Sequence, residues 1–393
     1  MENFRAPFST QEYARRLAKT RSAMDTAGLD AIVVTDPSNI SWLTGYDGWS
    51  FYTHQAVLLG HEGEPVWWGR SMDRNGALRT VWMRDDNTVG YADHFVQSTT
   101  CHPMEDLAVQ IIARGFETAR VGVEMENYYY TARAHQVLTA QLPKAALVDA
   151  TALVNWQRTV KSDEELGFMR KAAAISDKVI LTAIDRAEPG LRKNELVADI
   201  YSAMITGVGD DWGDYPAIVP MLPSGSDAAA PHLTWNGETL QEGEGTFFEI
   251  SGCYRRYHAP QCRTVFLGTP PDHIIDANAA ILDGLAAGIE KARAGNRACD
   301  IANALGDVIE KAGLTRAARC GYPIGLSYPP DWGERTISLR PSDETVLEEG
   351  MTFHFMPGLW MDNWGLETTE SIVIRDGAPE ELCKVPRQLF VKD

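Results

Sequence analysis

The sequence predicts an α+β chain of two domains, and three observations carry that expectation. Over roughly the first 150 residues, short β-branched strands alternate with amphipathic helices, as in a compact α/β domain of ordinary size. Beyond residue 156 the helices lengthen, and the first of them opens on a capping box. The strands of this second part fall at 246–251, 265–267, 352–355 and 371–374, an order that suits a mostly antiparallel sheet covered by helices. The expected domains are residues 1–156 and 157–393.

Each element has a local reason. Ser9-Thr10-Gln11-Glu12 has capping-box spacing and opens a helix carrying Tyr13, Leu17 and Met24, with Gly28 as its stop. Residues 31–35 read as a short buried strand, and Asp36-Pro37-Ser38-Asn39 as the turn after it. Strands are expected at 56–59 and 120–123, helices at 104–113 and 131–141, and a boundary at Asn155-Trp156. Ser162-Asp163-Glu164-Glu165 is a second capping box, with acidic residues where the helix dipole favours them. Its helix runs toward Arg186 and ends before Pro189-Gly190. Further helices are expected at 193–205, 274–292 and 298–312, with Gly295 and Gly313 at the stops of the last two. No internal repeat or low-complexity segment interrupts the pattern.

Composition narrows the function. At 393 residues, 44% hydrophobic and 23% charged, the chain is long enough for two cores. A formal charge of −18 argues against nucleic acid and anionic membranes as partners, since both repel an acidic surface. The six cysteines form no CxxC pair and read as reduced thiols. Residues 1–20 hold no apolar signal-like core, and no later run is long enough to span a bilayer, so a cytoplasmic location is expected.

The chemistry centres on residues 244–268. Gly252 and Pro260 punctuate this stretch, which therefore reads as two neighbouring strands with a bend between them. Glu249 interrupts the first strand's apolar run and faces the same side of the pleat as Phe247 and Ser251. An ionised carboxylate inside a sheet is costly unless paired, and a structural ion pair is its commoner fate.

The second half resembles the creatinase/prolidase/methionine-aminopeptidase family, whose fold is called pita-bread, and the resemblance extends over nearly the whole chain. It rests on Asp36-Pro-Ser-Asn-Ile-Ser-Trp-Leu-Thr-Gly45, Arg158-Thr-Val-Lys-Ser-Asp-Glu-Glu165, Pro231-His232, Arg263-Thr264, residues 321–325 and Gly350-Met351. Each motif is short, but their order and spacing agree. The resemblance implies a creatinase-like N-terminal α/β domain and a pita-bread catalytic domain. Metal-binding members use two aspartates, one histidine and two glutamates, and the flanking motifs place those positions at Glu249, Pro260, Tyr322, Met356 and Glu370. Proline has no ligating side-chain atom and a thioether is too soft for a hard cation, so no metal and no other cofactor is expected.

Within that family the resemblance implies a metal-free hydrolase of a carbon–nitrogen bond. The expected substrate is a small zwitterion, a cyclic amidine carrying a carboxylate. Glu249 is the expected catalytic carboxylate, attacking the amidine carbon directly or activating a water. His232 matches creatinase's catalytic histidine and is the expected proton carrier, since histidine ordinarily titrates near neutrality. Creatinase's own carboxylates are absent: Cys262 stands before Arg263-Thr264, and Met356 before Pro357-Gly358. Expected substrate contacts are Glu370, Tyr322 and His258, with Arg335 a fork for the carboxylate and Arg340 its competitor. Trp49, Phe51 and Tyr52 form an aromatic loop suited to a cation, which in a creatinase-like homodimer reaches the partner's site. An N-acylated product would link the enzyme to a downstream deacetylase. Two rival expectations are an amidinohydrolase of a guanidino acid and a non-catalytic binding protein on the same fold.

Overall fold

The structure, a computed structural model, describes residues 6–393 and divides into two compact units, residues 1–157 and 158–393. Among the described residues no helix is long and apolar enough to cross a membrane.

The first unit is a six-stranded mixed sheet with helices on both faces. Its strands are β1 (Ala31–Val34), β2 (Ala56–Gly60), β3 (Val66–Arg70), β4 (Thr88–Tyr91), β5 (Arg120–Val123) and β6 (Ala146–Asp149), in the order β4-β3-β2-β1-β5-β6. Alternation along β1 explains its unbroken burial. Ala31 and Val33 join a core with Met104 and Leu107 of α4 (Pro103–Ala113) and Leu138 of α5 (Ala132–Gln141). Ile32 and Val34 join the opposite core with Leu17 and Met24 of α1 (Thr10–Ala27), Ala77 of α3 (Ser71–Thr80) and Val154 of α6 (Leu153–Arg158). Ser9 caps α1 as its spacing predicts, accepting from the Glu12 N–H, and Gly28 ends it in the left-handed region at φ 63°.

The expected turn at 36–39 is instead the start of a helix, α2 (Pro37–Thr44). Asp36 accepts from the Ser38 and Asn39 N–H groups and Pro37 occupies the first turn, so the residues that read as a turn act as a helix cap. Glu124 anchors the junction from inside, accepting from the Thr35 and Asp36 N–H groups and from Asn39 Nδ2.

The second unit is built on a long hairpin, β7 (Gly245–Tyr254) and β8 (Tyr257–Leu267), paired from Gly245↔Phe266 to Tyr254↔Tyr257. The expected bend falls between Gly252 and Pro260, but neither residue makes it, for both lie inside the ladder. The reversal falls at Arg255 and Arg256, with φ 48° and 65°, positive at both as a type I′ turn requires. Side-chain contacts offset that backbone cost: Arg256 lies 3.6 Å over the Tyr215 ring and Arg255 5.0 Å over Trp212.

Gly252 is needed for close approach rather than for a bend. Helix α7 (Asp163–Arg186), capped by Ser162 with Glu165 as predicted, crosses the hairpin there. A Cβ on Gly252 would fall 2.3 Å from the Ala172 carbonyl and 2.6 Å from the Ser176 nitrogen. Ser176 fastens both strands, accepting from the Gly252 N–H and donating to the Ala259 carbonyl.

Helix α8 (Lys193–Thr206) follows; α9 (Asp272–Lys291) and α10 (Ala298–Lys311) cover a second sheet. That sheet contains β9 (Gly321–Pro323), β10 (Thr352–Phe355), β13 (Glu370–Val373) and β14 (Glu380–Glu381), in the order β14-β13-β10-β9. Between β10 and β13 runs the small hairpin β11 (Gly358–Trp360) and β12 (Gly365–Glu367), and β15 (Phe390–Lys392) lies parallel to β8. Gly295 is not the cap of α9, which ends at Lys291 and is capped by Ala292, whereas Gly313 follows α10 in the left-handed region as expected.

The close packing of α7 on the hairpin sets a stability test. Gly252→Ala is expected to lower unfolding stability by about 1–3 kcal/mol, the usual cost of overpacking. Gly306→Ala, in α10 with open space at the Cβ, should be neutral or gain roughly 0.5–1 kcal/mol. Urea unfolding of the two variants checks this, and equal stabilities would contradict it.

Candidate active site

Glu249 sits in the middle of β7, 5% exposed, at the wall of a cavity of about 540 Å³. Its backbone pairs outward with Met221, donating and accepting at 3.0 and 3.1 Å, so the strand is held on both edges. Register places Glu249 opposite Cys262, with both side chains on the same face. The nearest basic nitrogen on the ion-pair scale is His354 Nδ1, 4.0 Å from Oε1. Burial holds that imidazole's pKa down at about 3, so at neutral pH it brings no charge. Burial raises the Glu249 carboxyl to about 7.

Behind Glu249 runs a hydrogen-bonded chain. Trp332 Nε1–H donates to the Tyr322 hydroxyl at 2.7 Å, which frees that hydroxyl's proton for His354 Nδ1 at 3.2 Å. His354 Nε2 meets Thr369 Oγ1 at 2.7 Å, and the same oxygen accepts from the Cys262 N–H at 2.8 Å. The chain therefore ties β9, β10, the strand entering β13 and β8 into one block under the cavity. Glu367, at the end of β12, is fully buried beside Cys262; desolvation, then the Glu249 charge, push its carboxyl well above the usual range. The same two causes, with Glu367 ahead of Glu249, push the Cys262 thiol up.

The expected site residues separate into those that meet at the cavity and those that do not. Glu249, His232 and Tyr322 line it together, with Asp331, Arg319 and Met356. His232 is exposed and follows the short helical turn Gly225–Ala229. His258 is not a lining residue: fully buried, it accepts from the Ala217 N–H at 2.8 Å and donates its backbone N–H to Gly325 at 3.0 Å. Burial keeps it neutral, with a pKa near 3. Arg335 is exposed and outside the lining, at φ 58°, and Arg340 lies in a neighbouring depression with Arg316. Trp49, Phe51 and Tyr52 belong to the first unit. Trp49 and Tyr52 are 58% and 69% exposed, and Phe51 sits 4.9 Å from Trp49 and 5.9 Å from Tyr129, ring to ring.

Glu370 is committed elsewhere. Arg263 Nη2 binds it at 2.6 Å and Arg387 Nε at 3.0 Å, and it does not line the cavity. The residue of this segment that joins the hydrogen-bonded chain behind Glu249 is Thr369, one position earlier. Strand side chains alternate, so a slip of one residue in assigning the position exchanges the two faces. Thr369, Glu367, Arg319 and Asp331 were not singled out by sequence reasoning. Thr369 was findable from the period of two along 369–373; nothing local marks Arg319.

The comparisons with known proteins agree with this architecture. The Creatinase/Prolidase N-terminal domain model matches residues 16–160, and the Metallopeptidase family M24 model residues 167–376. The chain is 57% identical to ectoine hydrolase of Halomonas elongata, across 98% of each. It is 38% identical to an uncharacterized hydrolase/peptidase of Sinorhizobium fredii, over 98% of this chain and 99% of that one. Among solved structures, prolidase from Thermococcus sibiricus superposes with a TM-score of 0.84 at 19% identity, covering 98% and 100% of the two chains. Dipeptidase PepE from Mycobacterium ulcerans superposes at 0.80 and 24% identity, covering 98% and 99%. The fold is thus the two-domain pita-bread class. The chain belongs to metallopeptidase family M24, in its branch with a creatinase/prolidase N-terminal domain.

The family's name implies a metal, and the residues here do not fit one. Tyr322 is a phenol pushed well above its ordinary pKa by burial and engaged by Trp332 and His354. Thr369 is occupied by His354 and Cys262, Pro260 offers only a carbonyl already taken by Ser371, and Met356 is a thioether. One carboxylate among such donors is a poor set for a hard divalent cation. Among the described residues no group of three or more His, Cys, Asp or Glu side chains is arranged to hold a metal ion.

The hydrogen-bonded chain is open to a direct test. Tyr322→Phe leaves the buried Trp332 indole N–H without an acceptor and is expected to cost about 1–3 kcal/mol of stability. Denaturant titration reads it, and a variant as stable as the parent protein would show the chain to be dispensable.

Proposed function

We propose that this protein is a hydrolase that opens the cyclic amidine ring of ectoine to N-acetyl-L-2,4-diaminobutyrate without a metal. The observation that carries the reading is a buried carboxylate, Glu249, at the wall of a cavity with no metal-ligand set around it, in a chain 57% identical to an ectoine hydrolase. The amidinium is cationic, and Glu249 and Asp331 are the carboxylates that face it. In one route Glu249 attacks the carbon between the two ring nitrogens: a C–O bond forms, the C–N electrons move to nitrogen, and water later cleaves the adduct. In the other, Glu249 takes a proton from the attacking water. Either way the departing nitrogen needs a proton, and exposed His232 at the cavity mouth supplies it. Hydroxyectoine is a second substrate to assay, and the acetylated product suits a downstream deacetylase as functional partner. We place the reaction in the cytoplasm.

Incubation with ectoine and chromatographic detection of the ring-opened product tests the reading, with creatine as the control for a guanidino-acid amidinohydrolase. No product from either would favour a binding protein. Glu249→Gln should lose more than about nine-tenths of the rate while staying folded. Dialysis against a strong chelator should leave the rate unchanged; activity returning only with added metal would overturn the metal-free reading. The pH profile has a definite sign. Glu249 acts as the anion, and burial raises its pKa to about 7, so kcat/KM should fall as pH drops below about 7.

The aromatic residues of the first unit support a homodimer. Trp49 and Tyr128 are more than half exposed and pack against Phe51 and Tyr129, and Tyr52 is more than half exposed as well, an association-prone set of rings. A two-fold interface would cover it twice, and we place residues 49–54 over the partner's cavity. Mixing Glu249→Gln chains with Trp49→Ala chains, each inactive alone, should restore activity through one intact site per heterodimer. Subunit exchange without restored activity would show that the loop serves its own chain.

A further inference from the structure

We propose that Arg319 is the residue that recognises the substrate's carboxylate, an inference that rests on the zwitterionic substrate argued above. The cavity must accept two opposite charges, and its lining divides accordingly. Glu249 and Asp331 are its carboxylates, suited to the amidinium, and among the described residues Arg319 is its only arginine or lysine. A substrate carboxylate bound against either acid would be repelled, so the single guanidinium fixes which way round the ring lies.

Arg319 is held for that task without being neutralised. Its guanidinium carbon lies 4.6 Å over the Tyr322 ring, and Nη1 makes one long bond, 3.4 Å, to Ser338 Oγ. Among the described residues no carboxylate pairs with it, although the chain carries a net charge of −18 and acids are plentiful. The cation–π contact orients a planar fork and leaves its N–H donors for a bidentate carboxylate. Its neighbour Arg316 is spent differently. Arg316 binds the main-chain carbonyls of Gly358, Ala318, Arg319 and Met356, and so pins this segment against β11 beside the cavity. One arginine therefore builds the support and the next presents its charge. Tyr322, which replaces the family's histidine, gains a role from this pairing: its ring is the platform on which the carboxylate receptor rests.

The test compares Arg319→Gln, Arg319→Lys and Arg335→Gln. For Arg319→Gln the KM for ectoine should rise on the order of 10–100-fold, as loss of a charge-assisted contact implies, with kcat changed little. Arg319→Lys should recover part of that loss, and Arg335→Gln should stay within about twofold of the parent protein. Calorimetric binding in a Glu249→Gln background separates recognition from turnover. Adding Arg319→Gln should weaken binding of ectoine by the same factor and leave unchanged the binding of 2-methyl-1,4,5,6-tetrahydropyrimidine, the same ring without its carboxylate. An equal loss for both ligands, or a KM within about twofold of the parent protein, overturns the assignment. Arg319 is exposed, so unchanged melting temperature is expected, and a large drop would mark a structural role instead. Binding of ectoine without turnover would overturn the hydrolase reading alone and leave Arg319 to the binding ratio. Neither binding nor turnover would overturn both.

Discussion

The second unit depends on keeping the Glu249 carboxylate buried in a strand without a charged partner. Glu249 lies in the centre of a hairpin clamped by α7 on one side and by the Tyr322–His354–Thr369 chain on another. A charge so placed is expensive, and its surroundings raise its proton affinity rather than neutralise it. A partner cation would remove that cost and also the reactivity. The nearest imidazole is kept uncharged by the same burial, so the site conserves its tension.

Around that carboxylate, on a metallopeptidase-family fold, the polar side chains bond to one another. The phenol of Tyr322 and the hydroxyl of Thr369 converge on His354, closing internally a ring of donors that would otherwise need an ion. Arg263 makes the same point for the supporting layer. Its guanidinium binds Glu370 and the carbonyls of Cys262, Thr369, Val385 and Pro386, which fixes the strand entering β13 against β8. Hydrogen bonds carry the cross-bracing here.

Helix α7 completes the frame. Gly252 and Ser176 let it sit against the hairpin at backbone contact, so the wall that carries Glu249 cannot shift without moving the longest helix described in the chain. A catalytic group on paired strands, braced from behind, is positioned more narrowly than one on a loop. The cavity's opposite side, by contrast, is made of connecting segments that carry His232, Arg319 and Asp331. The proposed catalytic carboxylate thus sits on a stiffer element than the proposed proton donor and carboxylate receptor.

Local signals alone determined much of this protein. The capping residues Ser9 and Ser162, the β/α alternation of the first unit, and Glu249 as an acid inside an apolar strand were legible because each acts within a few residues. That Pro260, Tyr322 and Met356 would make poor ligands for a hard divalent cation was legible by side-chain chemistry. Tertiary structure decided the rest. Gly252 and Pro260 look like breakers, yet a ladder of ten paired positions and the approach of α7 draw them into continuous strands. Glu370 looks like a site acid, yet strand alternation sends Thr369 to His354 and leaves Glu370 to Arg263, a partner 107 residues away. Arg319 carries no local mark at all. Its place beside Glu249 comes from folding a distant connection over the hairpin, and long-range register is what a short stretch of sequence cannot encode.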